Sequence, residues 1–180
     1  YTRNSRGLVI TKTEDANGLN PRVTSYTWHA SLRLPLTRTT DHMTESFTYT
    51  QGTNGDVQLT QYSQTDKLVS SPTYGQSRTW TYVYTTLASG LKVLTSMDGP
   101  GLVGDGVYDV TTYEYNSEGS LTKATDPNGL VTEILSFNQQ NQPTLVRGPD
   151  SVEYAFTYDH RGRALSITTN PNGQYPLTSY

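Results

Sequence analysis

The feature that most constrains this 180-residue chain is a regular spacing of aromatic residues in its C-terminal half. Tyr115, Phe137, Tyr158 and Tyr180 are separated by 22, 21 and 22 residues. A fixed period of about 20 to 50 residues is typical of repeat proteins, in which each unit buries its apolar surface against its neighbours. The chain is therefore expected to be a series of similar short units.

The same spacing continues toward the N-terminus with lower fidelity. Trp28 and Tyr49 are 21 residues apart, whereas Tyr49 to Tyr84 spans 35 and Tyr84 to Tyr115 spans 31. These longer intervals predict insertions near residues 61–77 and 99–110. We expect about seven units and a single repeat region over residues 1–180. The predicted repeat-defining aromatics are Trp28, Tyr49, Tyr84, Tyr115, Phe137 and Tyr158.

Each unit is expected to contain two strands and two turns. A triplet such as Phe156-Thr157-Tyr158 places two rings on one face of a strand, because side chains alternate between the faces. A glycine or asparagine permits the first turn. The second turn, Asp/Asn-x-Asn-Gly, begins at residues 15, 126 and 170, with its glycine expected in the left-handed conformation. The predicted turn residues are Asn17, Gly18, Gly119, Asp126, Asn128, Gly129, Gly162, Asn172 and Gly173.

Composition supports an all-β fold of antiparallel hairpin repeats, in which successive hairpins lengthen one sheet. The chain has 30 Thr, 16 Ser and 14 Tyr against 6 Ala and 4 Lys, a balance that favours strands over helices. A net charge of −3 without a basic stripe argues against nucleic acid as a partner. No apolar run approaches the roughly 20 residues of a membrane-spanning helix, so no membrane span is predicted.

One unit carries a recognisable motif. The segment from Tyr158-Asp159 through Gly162-Arg163 to Leu165 is similar to the YD repeat of the Rhs (rearrangement hot spot) family. Around Tyr115, Asn116 and Ser120 replace the family's Asp and Arg, although the turn Asp126-Pro127-Asn128-Gly129 matches. The resemblance covers residues 78–180 well and residues 1–77 loosely.

The resemblance implies a structural role without enzymatic activity. Rhs and YD-repeat proteins are typically long bacterial chains whose repeats wind as one continuous curved or spiralling β-sheet into a hollow shell around a C-terminal toxin. Toxin-complex C components and teneurin ectodomains form similar β-sheet shells. The chain would then be a fragment of a larger secreted protein, delivered by a toxin-secretion system. Its partners would be the rest of the same shell and the enclosed toxin domain, with secretion machinery or a cell-surface molecule as a further partner.

No catalytic, cofactor or metal site is predicted. His29, His42 and His160 lie in different units, without metal-ligand spacing. Asp105 and Asp109 lie in a glycine-rich stretch that favours a flexible insertion over a phosphate loop. The repeat phase identifies Asp126–Gly129 as a turn, although it superficially resembles the family's self-cleavage element. No Gly-x-Ser-x-Gly elbow is present.

The aromatic stripe has two interpretations. Rings at the repeat phase would form cross-strand ladders that stabilise the sheet, which we favour. Alternatively, exposed Tyr and Trp would make the chain an extracellular carbohydrate- or protein-binding sheet, because such rings offer both an apolar face and a polar group. Trp28, Trp80 and Tyr82 would then be the contact residues.

Overall fold

The computed structural model describes residues 1–15, 17–52, 55–102 and 109–169, which contain β-strands and no helix. Within these ranges no helix is long and apolar enough to cross a membrane. The strands are β1 (Thr2–Arg3), β2 (Val9–Glu14), β3 (Arg22–Trp28), β4 (Pro35–Thr39), β5 (Met43–Gln51), β6 (Val57–Asp66), β7 (Ser77–Thr86), β8 (Lys92–Leu102), β9 (Val110–Tyr115), β10 (Leu121–Thr125), β11 (Val131–Phe137), β12 (Pro143–Arg147), β13 (Glu153–Tyr158) and β14 (Ala164–Thr169).

The order of strands in the sheet follows the order of the chain, from β1 to β14. The pairs from β1 to β7 and from β9 to β14 run antiparallel. Short connections suffice for this arrangement, because antiparallel neighbours need only a hairpin turn. The predicted all-β class and the hairpin repeats are therefore confirmed.

The chain divides into two compact units. The first comprises Tyr1–Tyr82 and the stretch that begins at Asp98. The second comprises Val83–Met97 and the stretch that begins at Asp109.

Neither unit has a thick hydrophobic core. In the described part of the chain, Leu8 in the first unit and Val93 in the second are the buried hydrophobic residues, at 7% and 8% exposure. Most strand positions are half-buried. The low aliphatic content of the sequence thus corresponds to a thin sheet that relies on aromatic rings and hydrogen bonds for its stability.

The two predicted insertions lie partly in long strands and partly between them. Residues 61–66 belong to β6, and residues 67–76 form the loop to β7. Residues 99–102 belong to β8, and β9 begins at Val110. Residues 103–108, which include Asp105, lie outside the described residues. Strands β6, β7 and β8 span 10, 10 and 11 residues, compared with 5 or 6 for β9 and β10.

Threonine and serine pairs account for much of the polar composition of the strands. Hydroxyl groups on adjacent strands hydrogen-bond at 2.7 Å in Thr27–Thr37 and in Ser136–Thr144, and at 2.6 Å in Thr157–Ser166. Such cross-strand pairs contribute roughly 0.2 to 1 kcal/mol each. The many threonines therefore both favour the extended backbone and link neighbouring strands.

Candidate functional site

Several hairpins share one turn geometry, which Asp159 illustrates. Its N–H donates to the carbonyl of Arg163, and the N–H of Gly162 donates back to the carbonyl of Asp159, both at 2.9 Å. One carboxylate oxygen of Asp159 accepts hydrogen bonds from the N–H groups of Arg161 and Arg163. The Arg163 guanidinium binds the other oxygen at 2.7 Å. Asp159 therefore closes the turn that follows Tyr158.

Four further Asx residues close turns in the same way. In each, one side-chain oxygen accepts from the N–H groups two and four residues later, at 2.8 to 3.1 Å; they are Asn4, Asn116, Asp126 and Asn138. Asn116 thus makes the same contacts as Asp159, because a neutral amide oxygen accepts hydrogen bonds as a carboxylate does. The contacts of Asp126 are those of a turn, and Asn128 is one of its donors.

The fourth residue of these turns has a positive φ. The values are +88° at Gly119 and +79° at both Gly129 and Gly162. Asn141 takes the same position with φ +62°. Asparagine tolerates this conformation better than other residues with a side chain, which explains how the turn forms there without glycine.

The turn near Asp15 differs from the sequence-based expectation. Asp15 itself has the left-handed conformation, at φ +52°, whereas Gly18 does not. The N–H of Gly18 donates to the carbonyl of Asp15, and Asn17 is exposed within the turn. The left-handed residue therefore opens this turn instead of closing it. Asn172 and Gly173 lie outside the described residues.

Register shifts occur beside the repeat-defining aromatics. They fall between Thr27 and Trp28, Thr48 and Tyr49, Ser136 and Phe137, and Thr157 and Tyr158, while Tyr115 pairs with Leu121 at another. A bulge adds one residue to a strand and disrupts the local hydrogen-bond ladder. Nothing in the aromatic spacing itself indicates these shifts.

Two of the six repeat-defining aromatics, called anchors below, hydrogen-bond through their side chains to the preceding hairpin. The Tyr158 hydroxyl donates to the carbonyl of Pro143, and the Trp28 indole N–H donates to the carbonyl of Val9, both at 2.7 Å. Pro143 and Val9 are each the first residue of the strand that follows a turn. The two contacts are therefore equivalent, and each links one repeat to the previous one.

The other anchors lie at corresponding positions. Burial of the ring raises the pKa of Tyr49, Tyr84 and Tyr115. Phe137 pairs with Pro143 in the register of β11 and β12. All six anchors are half-buried and lie in or at the ends of strands, which suits a packing role.

Removing the hydroxyl of an anchor should lower the stability of the fold, and adding one to an anchor that lacks it should raise the stability. Tyr158→Phe removes the bond to Pro143 and is expected to lower the free energy of unfolding by about 1 kcal/mol. Leu121 is the first residue of β10, as Pro143 is of β12, so Phe137→Tyr is expected to form the equivalent bond and to raise the free energy of unfolding by up to about 1 kcal/mol. Urea unfolding midpoints measure both changes.

Tyr154→Phe is the matched control, because no hydrogen bond of the Tyr154 hydroxyl is found among the described residues. We expect its stability to stay within about 0.5 kcal/mol of the parent. A loss for Tyr154→Phe equal to that for Tyr158→Phe would contradict a specific role for the Tyr158 hydroxyl.

Neighbouring turns on one side of the sheet are joined directly. In the second unit, the Ser120 hydroxyl donates to the side-chain oxygen of Asn141 at 2.7 Å, and the Gln142 amide donates to the carbonyl of Gly162 at 2.8 Å. In the first unit, Arg6 donates to the carbonyls of His29 and Ala30 at 2.7 and 2.5 Å. These bonds connect residues about one repeat apart.

The first unit contains a stack of three aromatic rings across adjacent strands. Tyr62 lies between Phe47 and Trp80, with a ring-centroid distance of 5.1 Å to each. The register pairs Phe47 with Tyr62 and Tyr62 with Trp80 directly. The Tyr62 hydroxyl donates to Glu45 and accepts from the Gln64 amide, both at 2.7 Å. Tyr62 therefore both stacks between two rings and joins two polar side chains through its hydroxyl.

Glu45 joins this stack to strand β4. Burial of its side chain favours the protonated form, but hydrogen bonds from Tyr62 and Arg38 outweigh that effect and hold the pKa of Glu45 below its usual value. The Arg38 guanidinium lies 2.6 Å from the carboxylate, whose side chain is 13% exposed. Glu45 is therefore ionised in the folded protein at neutral pH.

The lowered pKa values predict a loss of stability in acid. A carboxyl whose pKa is lower in the folded than in the unfolded state stabilises the fold above the unfolded pKa, about 4.3 for Glu and 3.9 for Asp. That contribution is lost as the pH falls through the folded pKa. Glu45, Asp66 and Asp159 all have lowered pKa values, so the free energy of unfolding should fall as the pH is reduced below about 5.

Urea unfolding between neutral and acidic pH measures this dependence. Glu45→Gln should be less stable than the parent at neutral pH and should lose less stability on acidification. Identical pH profiles for the parent and Glu45→Gln would show that the Glu45 carboxylate does not contribute.

The aromatic residues of the binding hypothesis are not brought together by neighbouring strands. Trp28 lies on β3 and Trp80 on β7, with β4, β5 and β6 between them in the sheet order. Four strand spacings of about 4.8 Å separate them by roughly 19 Å. Tyr82 follows Trp80 by two residues and lies on the same face of β7. Trp28 is half-buried, and its ring lies 6.4 Å from that of Tyr26.

The second unit carries a ladder of alternating charge that sequence reasoning missed. Its members face one another across five adjacent strands, in the order Glu114, Lys123, Glu133, Arg147 and Glu153. Ion pairs of 2.9, 3.2 and 2.6 Å join Lys123 to Glu114, Arg147 to Glu133 and Arg147 to Glu153. A one-residue slip would break every pair, so the ladder favours the observed register.

The three histidines lie in separate turns. Nδ1 of His29 accepts from the N–H groups of Ser31 and Leu32, which gives it a turn-closing role. His42 lies between β4 and β5, and His160 lies between β13 and β14. Asp109 lies just before β9. Among the described residues, no three His, Cys, Asp or Glu side chains are grouped so as to hold a metal ion.

A cavity of about 430 Å³ lies in the first unit. It is formed by the turn between β4 and β5, the last residues of β6 and the loop to β7. Its lining includes His42, Asp66 and Arg78. The loop falls in a region that the sequence identified only as an insertion, so the repeat pattern gave no signal for this cavity.

Comparison with known proteins gives a relation in fold. No protein-family model and no curated protein matches the chain. The structure of the Photorhabdus luminescens Tc holotoxin pore with a mutated TccC3 matches at a TM-score of 0.62 and 12% identity, over 95% of this chain and 9% of that chain. The complexes TcdB2–TccC3–Cdc42 and TcdB2–TccC3 match at TM-scores of 0.32 and 0.28, each with 11% identity over 96% of this chain and 14% of theirs.

The fold relation rests on the first of these structures. Its match extends over nearly the whole of this chain, which accounts for only 9% of the length of the chain it matches. The chain therefore has the fold of part of a Tc holotoxin chain, which fits the resemblance to the YD repeat found in its sequence.

Proposed function

We propose that this chain is a structural segment of a secreted bacterial toxin and forms part of the wall of an Rhs/YD-repeat shell. The observation that carries the proposal is the chain-order sheet of hairpins, which matches part of a Tc holotoxin chain over 95% of its length. In this role the chain is not an enzyme. Its partners are the rest of the same shell and an enclosed C-terminal toxin or effector domain.

The contacts within the sheet suit such a wall. Turns such as that of Asn138 satisfy their own backbone donors through an Asx side chain, and bonds such as Gln142 to Gly162 connect adjacent turns. No buried side-chain nitrogen or oxygen in the described part of the chain lacks a hydrogen-bond partner. A wall of this kind acts by exclusion, because a continuous hydrogen-bonded sheet separates an enclosed domain from its target.

Protease protection in the full-length protein that contains this segment tests the proposal. We expect the region that follows the repeats to resist cleavage while the shell is folded and to become sensitive in urea at the transition of the repeats. Mass spectrometry of the products identifies the protected region. Equal cleavage of that region with and without urea would overturn the proposal.

A wall variant links the protection to this segment. Tyr62→Ala removes the centre of the aromatic stack, so it should expose the enclosed region at a lower urea concentration. Thr81→Ala, on an exposed position of β7, should leave the protection unchanged. Exposure at the same urea concentration in all three proteins would show that this segment does not form the barrier.

A further inference from the structure

Hydrogen bonds within the protein hold together the segments that line the cavity of the first unit. Its two walls are joined where the N–H of Lys67 donates to the carbonyl of His42 at 2.8 Å. Asp66 holds the loop that forms one wall: its carboxylate accepts from the N–H of Leu68 at 2.8 Å and from the Thr73 hydroxyl at 2.6 Å. The cavity is thus shaped by hydrogen bonds that exist without a ligand.

The Asp66 carboxylate is engaged by the protein itself. Hydrogen bonds from Ser71, Thr73 and Leu68 lower its pKa, so it stays ionised at neutral pH. Because these donors belong to the loop, the charge of Asp66 is used to order the wall. In the cavity, a ligand therefore contacts a carboxylate, that of Asp66, whose oxygens already accept hydrogen bonds from the protein.

Arg78 also lines the cavity, but its guanidinium has no acceptor among the described residues. Arg38 pairs with Glu45 and Arg147 with Glu153, whereas Arg22 on β3 is exposed and makes no ion pair among the described residues. The cross-strand neighbour of Arg78 is Gln64, which is neutral. Arg78 is exposed and offers its planar set of donors to the cavity.

The other lining residues present uncharged polar groups together with carbon surface. Gln64 donates to the Tyr62 hydroxyl, which leaves its amide oxygen as an acceptor. The side-chain amide of Gln76 makes no hydrogen bond among the described residues. His42 adds a ring nitrogen, and Met43 is the single apolar residue of the lining. Such a surface suits a ligand with several hydroxyl groups.

Size and charge narrow the ligand class. A volume of about 430 Å³ is within the range of small-molecule sites. The cavity offers the unpaired guanidinium of Arg78 and the hydrogen-bonded carboxylate of Asp66. This balance favours a ligand with one negative charge over a phosphate monoester, which carries two. A carboxylate also matches the guanidinium in a two-bond arrangement.

We infer that this cavity binds an acidic monosaccharide, with its carboxylate on Arg78 and its hydroxyl groups on Gln64, Gln76 and His42. This site is separate from the proposed wall function, which does not depend on a ligand. It also differs from the hypothesis based on Trp28, Trp80 and Tyr82, none of which lines the cavity.

Saturation-transfer NMR on the full-length protein tests the site, with glucuronate and galacturonate as probes and glucose as the neutral control. We expect transfer to at least one uronate, with a dissociation constant in the millimolar range, and weaker transfer to glucose. Arg78→Gln should weaken uronate binding about tenfold or more, because it removes the charge-assisted pair. Arg22→Gln, at an exposed position on β3, should leave binding unchanged.

Arg78→Lys separates recognition from folding. It keeps the charge but loses the two-bond geometry, so it should bind uronate with intermediate affinity. Circular dichroism and urea midpoints establish that each variant is folded. The inference is overturned by an absence of transfer to both uronates, by equal transfer to glucose, or by unchanged binding in a folded Arg78→Gln.

Discussion

Gly99→Ala is expected to lower the free energy of unfolding by about 3 kcal/mol or more. Gly99 has φ +124°, a conformation that residues with a side chain rarely adopt. A methyl group there would collide with the carbonyl oxygen of Thr79 and would lie 2.9 Å from the Cα of Trp80. Both obstacles are backbone atoms of β7, which cannot move aside as the end of a side chain can.

Gly90→Ala is the matched control for this prediction. Gly90 also has a positive φ, at +84°, but an added methyl would meet no atom within 4 Å. Its expected cost is about 1 kcal/mol, from backbone strain alone. Urea unfolding followed by tryptophan fluorescence measures both variants. Equal losses would show that close approach to β7 adds nothing to the strain at Gly99.

Tyr62→Ala is expected to lower the free energy of unfolding by about 3 kcal/mol. The ring packs against both Phe47 and Trp80, so its removal disrupts two aromatic pairs at once. The substitution also removes the hydrogen bond that the Tyr62 hydroxyl donates to the Glu45 carboxylate, whose side chain is 13% exposed. A sheet with so few buried side chains has little other packing to offset the loss.

Tyr62→Phe separates the two contributions. It keeps the stack and removes the hydroxyl, so its expected cost is about 1 to 2 kcal/mol. Thermal and urea unfolding of the two variants give the difference. If Tyr62→Ala were no less stable than Tyr62→Phe, the stack would contribute nothing beyond the hydrogen bond to Glu45.

The hairpin order could be predicted because it depends on periodic features of the sequence. Rings at Tyr115, Phe137 and Tyr158 recur at the length of one hairpin, and strands alternate their side chains with a period of two. Turns with glycine at the fourth position, such as that of Gly162, follow from the need for a positive φ. These signals lie within single repeats and can be recognised along the chain.

The register shifts, the charge ladder and the cavity could not be predicted in the same way. A bulge beside Tyr158 changes which residues face each other, but no residue type marks it. The pairing of Glu133 with Arg147 depends on the register of β11 and β12. Arg78 and Asp66 share a cavity because an inserted loop folds back on them, and insertions do not follow the repeat. In the turn near Asp15, the left-handed conformation is taken by Asp15 and not by Gly18, although glycine adopts a positive φ more readily.

The strand order has a consequence for synthesis of the protein. Every strand that the structure describes is hydrogen-bonded to strands adjacent in the chain, so none of these strands depends on residues made much later. A topology dominated by contacts close in sequence folds faster than one that depends on distant pairings. Each hairpin can therefore join the edge of the sheet soon after it leaves the ribosome, and assembly from the N-terminus limits the time for which that edge is open to other chains.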